Sequence, residues 1–164
     1  MIIPHMSKKE RVITILLAIL LLASLIITAC SMNEIRKLKF RLDRADYDLL
    51  FSIDLVASDL FATEIPSKSD ETLTRYLTNA YSHLAECSIL FPISSYADNS
   101  SLYDALKLLE EYLERIQESG ALIDDELGLD TYDAIHYMCD DLASQERAGR
   151  VVELLEECVG MAGA

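Results

Sequence analysis

The sequence predicts an all-α protein: an N-terminal transmembrane or signal helix followed by an antiparallel bundle of four to five helices. Three observations carry this. The 19 residues from Val12 to Cys30 hold no charge and are apolar at 16 positions. Beyond them, apolar residues recur three and four apart, as on one face of a helix, and no stretch alternates with period two long enough to make a strand. The chain has 164 residues with 14 Lys+Arg against 28 Asp+Glu, a net charge of −14, yet it is 51% hydrophobic with a mean hydropathy of +0.20. Apolar residues and charges must therefore be segregated along it. Five Gly, three Pro and four Cys exclude collagen-like, low-complexity and disulfide-dense chains. So acidic a chain is a poor match for phosphate backbones, and no nucleic-acid partner is expected.

Residues 1–11 form a basic n-region, with Lys8, Lys9 and Arg11 ahead of the apolar run at 12–30. As a helix the run is about 28 Å long, close to the ~30 Å hydrocarbon thickness of a bilayer. Membrane lipid is thus the first expected partner. Ile27-Thr28-Ala29-Cys30 resembles the lipobox of bacterial lipoproteins. That resemblance implies lipidation at Cys30 and removal of residues 1–29. The run is long for the ~7–15-residue core of a signal peptide, which favours a retained anchor, so cleaved lipoprotein and uncleaved anchor stand as equal alternatives.

Residues 31–45 make a basic juxtamembrane start to a long helix, with Arg36, Lys37, Lys39, Arg41 and Arg44 against Glu34 and Asp43, a net +3. Each cation can contribute ~1 kcal/mol against a strongly anionic leaflet. The signal-like order of the N-terminus points the C-terminal part out of the cytoplasm, and this second basic cluster opposes that orientation. Residues 46–164 hold six basic and 25 acidic residues, a net −19, in an acidic helical bundle.

The first helix of this part follows Ile35, Leu38, Leu42, Ala45, Leu49, Ile53, Val56 and Leu60 and is expected to end near Ile65-Pro66, because the residue before proline is biased out of the helix. Ser67 to Asp70 offers a start for the second, whose stripe is Leu73, Leu77, Ala80, Leu84, Cys87 and Phe91 before Pro92 stops it. The third begins between Asn99 and Ser101, with Ser101 to Asp104 as a variant capping box, and runs through Leu102, Leu106, Leu109, Leu113 and Ile116 to Gly120. Asp130 is the expected cap of the fourth, which carries Ile135, Met138 and Leu142. Gly149 separates or kinks a last short helix with Val152, Leu155, Cys158 and Val159. Short connections between such helices fit an antiparallel bundle.

Two pairs offer chemistry. His83 and Cys87 are four apart, His136 and Cys139 three apart, and either spacing puts the pair on one helix face. Two facing helices bearing them would offer zinc two nitrogens and two sulfurs. The spacings are not those of a zinc finger, and small thiols on an apolar stripe are ordinary core atoms. No cofactor or metal is therefore expected, and the core thiols are expected to be free. The acidic run Asp124-Asp125-Glu126 with Gly128, Asp130 and Asp133 lacks the EF-hand glycine and closing glutamate, so it reads as a solvated loop and helix start. Asn99-Ser100-Ser101 is formally a glycosylation sequon. Gly-rich phosphate loops, HExxH and GxSxG are absent from the sequence, and no enzymatic activity is expected.

The order of an N-terminal anchor, a long helix and helices separated by Leu90-Phe91-Pro92 loosely resembles the anchored helical region of YpeB-type germination proteins. The large C-terminal domains of that family have no counterpart here. The resemblance implies a cell-envelope accessory role and no functional residues. The expected function is a membrane-tethered bacterial envelope protein that binds another envelope protein through a helical face. The alternative is a helical-bundle sensor or a ligand- or metal-binding domain using His83, Cys87, His136 and Cys139.

Overall fold

A computed structural model describes residues 8–63, 70–119 and 125–161. The protein is all-helical: α1 (Lys8–Thr63), α2 (Asp70–Leu90), a 3-10 turn (Phe91–Ile93), α3 (Ser100–Ser119), α4 (Asp125–Cys139) and α5 (Gln145–Met161). Among the described residues there is no strand. The chain divides into two units, Met1–Arg41 and Leu42–Ala164.

In the first unit α1 is long and apolar enough to cross a membrane, and none of its most apolar stretch is buried by protein. Side chains from Val12 to Ile27 are solvent-exposed all round the helix, as expected of a segment whose solvent is lipid. The polar interruptions cost the helix little, since Thr28 turns its hydroxyl back to donate to the carbonyl of Ser24 at 2.9 Å.

The second unit is a bundle around one continuous core. From α1 come Leu49, Ile53, Val56, Ala57 and Leu60; from α2, Leu77, Ala80, Leu84 and Cys87; from α3, Leu102, Leu106, Leu109, Leu113 and Ile116. Helix α4 adds Ile135, Met138 and Cys139, and α5 adds Val151, Leu154, Leu155 and Cys158. Closest backbone approaches join α3 to α5 and α2, and α4 to α5. The long α1 stripe proves to be two things. Its upper residues are core, but Ile35 and Leu38 lie exposed in the first unit, and Leu42 is still 38% exposed.

Helix ends differ from the sequence expectation in four places, the first being that α4 stops at Cys139 and leaves Leu142, expected on that helix, in the connection to α5. Helix α3 is capped by Asn99 rather than by Ser101: its Oδ1 accepts from Leu102 N–H at 3.1 Å, while its Nδ2 donates to the carbonyl of Leu142 at 2.8 Å. One buried amide thus starts a helix and ties it to the α4–α5 connection. Helix α4 begins at Asp125, before the expected cap Asp130, so Asp125 and Glu126 belong to helix. Helix α5 runs straight through Gly149 from a Ser144 cap, whose Oγ accepts from Arg147 N–H at 3.3 Å. A helical glycine costs only about 1 kcal/mol against alanine, too little to break a helix held by Val151, Leu154 and Leu155. Ile65-Pro66, Ser67 to Ser69, Gly120 and Asp124 lie outside the described residues.

Candidate functional site

The bundle half of α1 is fastened by polar contacts as well as by its core face. Asp46 accepts from both the N–H and the hydroxyl of Ser95, each at 2.7 Å, which ties the turn after α2 to the start of the bundle. Ser52 donates to Glu86 of α2 at 3.2 Å. Asp59 lies 3.8 Å from His83 Nε2 and accepts from Asn79 of α2, and Asp54 lies 3.1 Å from His136 Nδ1 of α4. These contacts hold α1 to three other parts of the bundle.

They also decide the fate of the four zinc candidates. Cys87 and Cys139 are both buried free thiols. His83 and His136 sit at the rim, facing acids of α1. His83 also has Glu86 of its own helix 3.7 Å from Nδ1, and Tyr132 packs edge-on against the His136 ring at 4.4 Å. The structure therefore buries both thiols and leaves each histidine with a carboxylate. Among the described residues no three His, Cys, Asp or Glu side chains converge so as to hold a metal ion. Burial pushes the Cys87 thiol up to about 12, helped by the charges of Glu86 and Cys139. Cys139 rises to about 12 for the same first reason, with Asp54 and Asp140 adding to it. The third core cysteine, Cys158, has its Sγ 3.5 Å from the hydroxyl of Thr131.

The membrane-proximal candidates lie on the surface of α1. Cys30 is exposed within unbroken helix. Arg36, Lys37, Lys39, Arg41 and Arg44 are all exposed; Lys37 pairs with Glu34 at 2.9 Å and Arg44 with Asp48 at 3.5 Å. Exposed pairs of this kind contribute ~0–1 kcal/mol and leave the cations available to headgroups.

The feature that sequence reasoning missed is an apolar face where α1 meets the end of α2. Phe51 is 50% exposed and Ile89 68% exposed, and the two line one cleft of about 330 Å³ with Asp48, Ser52, Glu86 and Leu90. Tyr47 stacks on Phe51 with the rings nearly parallel, 6.4 Å between centroids. Beyond the end of α2, Ile93 is exposed in the segment that the Asp46–Ser95 contacts draw toward α1. On the other flank of α2 a second hollow, of about 450 Å³, is walled by Phe91, Pro92, Tyr103 and Leu106. The sequence did hold a signal for this face. Phe51 falls between the core positions Leu49 and Ile53, and Ile89 between Cys87 and Phe91, so each is a large apolar residue off its helix's core stripe.

A third and larger concavity between α3 and α5 is of another kind. Its floor is Leu108 and Val152, and Asp104, Glu110, Glu111, Glu114 and Glu156 surround it with Lys107 the sole cation of the lining. No large exposed apolar side chain stands in it.

Fold and surface together define a helical bundle whose N-terminal helix is long and apolar enough to span a membrane. No family model, curated protein or solved structure matches the chain.

Proposed function

We propose that the chain is a membrane-tethered accessory protein of a bacterial cell envelope, held in the plasma membrane by its N-terminal helix or by a lipid on Cys30, with the bundle facing outward. Its bundle docks another envelope protein on the α1–α2 face. The observation that supports docking is the pair Phe51 and Ile89, large apolar side chains exposed on opposite walls of one cleft. Exposed aromatic and aliphatic residues grouped around a hollow are the usual centre of a protein interface. The lipobox-like Ile27 to Cys30 and the order of anchor, long helix and helical body support the envelope assignment. We assign no enzymatic role and no nucleic-acid partner, since the residues of the bundle carry a net −19 and no catalytic motif.

The sensor or metal-binding alternative has no comparable observation behind it. Its four residues are occupied as two neutral core thiols and two rim histidines set against α1 carboxylates. Photo-crosslinking in cells tests the docking reading. A crosslinking residue at Phe51 or Ile89 is expected to capture one discrete partner band that the same residue at Glu114, in the α3–α5 trough, does not. Equal capture at all three positions, or none, refutes it.

A further inference from the structure

The cleft between α1 and α2 also carries information about its occupant. It is walled by Phe51 and Ile89, floored by Leu90 and the buried Ser52, and bordered by two carboxylates, Asp48 and Glu86. No lysine or arginine lines it. Its volume of about 330 Å³ is at the low end for small-molecule sites, which suits one or two side chains of a partner better than a whole cofactor. Both carboxylates remain open to a new cation. Among the described residues Asp48 has the 3.5 Å contact with the exposed Arg44, and Glu86 keeps 63% of its side chain exposed while accepting from Ser52 and lying 3.7 Å from His83 Nδ1.

From this geometry we infer that the cleft receives a basic amphipathic segment of a partner protein, with an apolar side chain seated between Phe51 and Ile89 and lysine or arginine reaching Asp48 and Glu86. The inference rests on the docking reading above and specifies the chemistry of its partner. Charge argues against the other occupants. A second copy of this bundle brings another net −19, and an acidic segment would meet both rim carboxylates as well as the field of the whole body. The α3–α5 trough has more carboxylates but lacks exposed apolar walls, so it attracts cations without seating a side chain. That makes it the control for unspecific attraction.

The chain contains no tryptophan, so a Tyr47→Trp substitution beside Phe51 gives a single emission reporter at the cleft. The full-length chain is placed in phosphatidylcholine nanodiscs. It is titrated with two tryptophan-free helical peptides of identical apolar face, one flanked by lysines and one by glutamates. The lysine peptide is expected to shift the emission saturably, with affinity falling as salt rises. Phe51→Ser or Ile89→Ser should weaken it by about 10-fold or more, whereas Glu111→Gln with Glu156→Gln should change it by less than about 2-fold. Both serine positions are solvent-exposed, and circular dichroism confirms that these variants fold. The inference is overturned if the glutamate peptide binds equally well, if neither peptide binds, or if trough substitutions weaken binding as much as cleft substitutions. The two failures are separable: crosslinking at Phe51 and Ile89 that persists without binding of the lysine peptide retains the docking face and discards its charge preference.

Discussion

Raising the pH of the folded protein from about 8 to about 10 probes the buried thiols directly, and the sign follows from which state holds the protons. Burial raises Cys87 and Cys139 from an ordinary 9.0 to about 12. Between those values the unfolded chain has released protons that the folded chain still binds, so stability is fully present below about pH 9 and declines as pH rises toward about 12. At about pH 10 an ordinary thiol is about nine-tenths ionised and a buried one about one-hundredth, which costs about 1 kcal/mol for each thiol and about 2–3 kcal/mol for the pair. Urea denaturation at the two pH values measures this. Tyrosines and lysines titrate in the same range, so the quantity to read is the difference between wild type and a Cys87→Ala, Cys139→Ala double variant. Any cavity that alanine leaves adds a cost that does not vary with pH. Wild type should lose about 2–3 kcal/mol more than the variant over the interval. Alkylation gives a second reading, because the reactive thiolate is about 1000-fold scarcer in the fold than in the unfolded chain below about pH 9 and still about 100-fold scarcer at about pH 10. Iodoacetamide labelling of native Cys87 and Cys139 should keep rising about tenfold per pH unit beyond about pH 10 instead of levelling off. Equal pH dependence in wild type and variant, or labelling that levels off near pH 9, would refute the reasoning and show that the thiols are not held in the core.

Three substitutions test the architecture. Gly149→Ala should stabilise the bundle by about 0.5–1 kcal/mol in thermal or urea unfolding, since a Cβ there meets nothing within 4 Å and the backbone is helical. A loss of stability would mean the glycine has a packing role that the structure lacks. Asn99→Ala should cost about 1–3 kcal/mol, because it removes the α3 cap and leaves the buried Leu142 carbonyl without its donor. Asn99→Asp keeps the cap oxygen but sets a buried carboxylate against the Leu142 carbonyl, so it should cost at least as much as alanine. Asp46→Ala removes two hydrogen bonds to Ser95 and should cost about 1 kcal/mol, with faster amide exchange confined to residues around Ser94 to Tyr96. Unchanged exchange in that segment would show that it is held by Phe91 and Ser94 alone.

How far the fold was legible in the sequence depends on what helical periodicity reports, namely a face and not what covers it. Ile35 and Leu38 continue the spacing of Ala45 and Leu49 without a break, yet the first two are exposed and the last two are core. Nothing local distinguishes them, because the difference is whether α2 to α5 lie alongside. The four zinc candidates part company for a related reason. Cys87 shares its stripe with Leu84 and Phe91, and Cys139 lies beside Met138 and Leu142, so both thiols turn inward. Each histidine is next in sequence to a core residue, His83 to Leu84 and His136 to Ile135, about 100° round the helix, which sets it at the rim. The partners waiting there, Asp59 and Asp54, come from α1 and are remote in sequence from His83 and His136. The same logic makes the proposed docking face readable in retrospect. A helix that buries Leu49 and Ile53 has no structural use for Phe51, nor one that buries Cys87 and Phe91 for Ile89. Large apolar side chains kept off the core stripe of two adjoining helices meet across one cleft, and removing such surface from water is the gain a docked partner would supply.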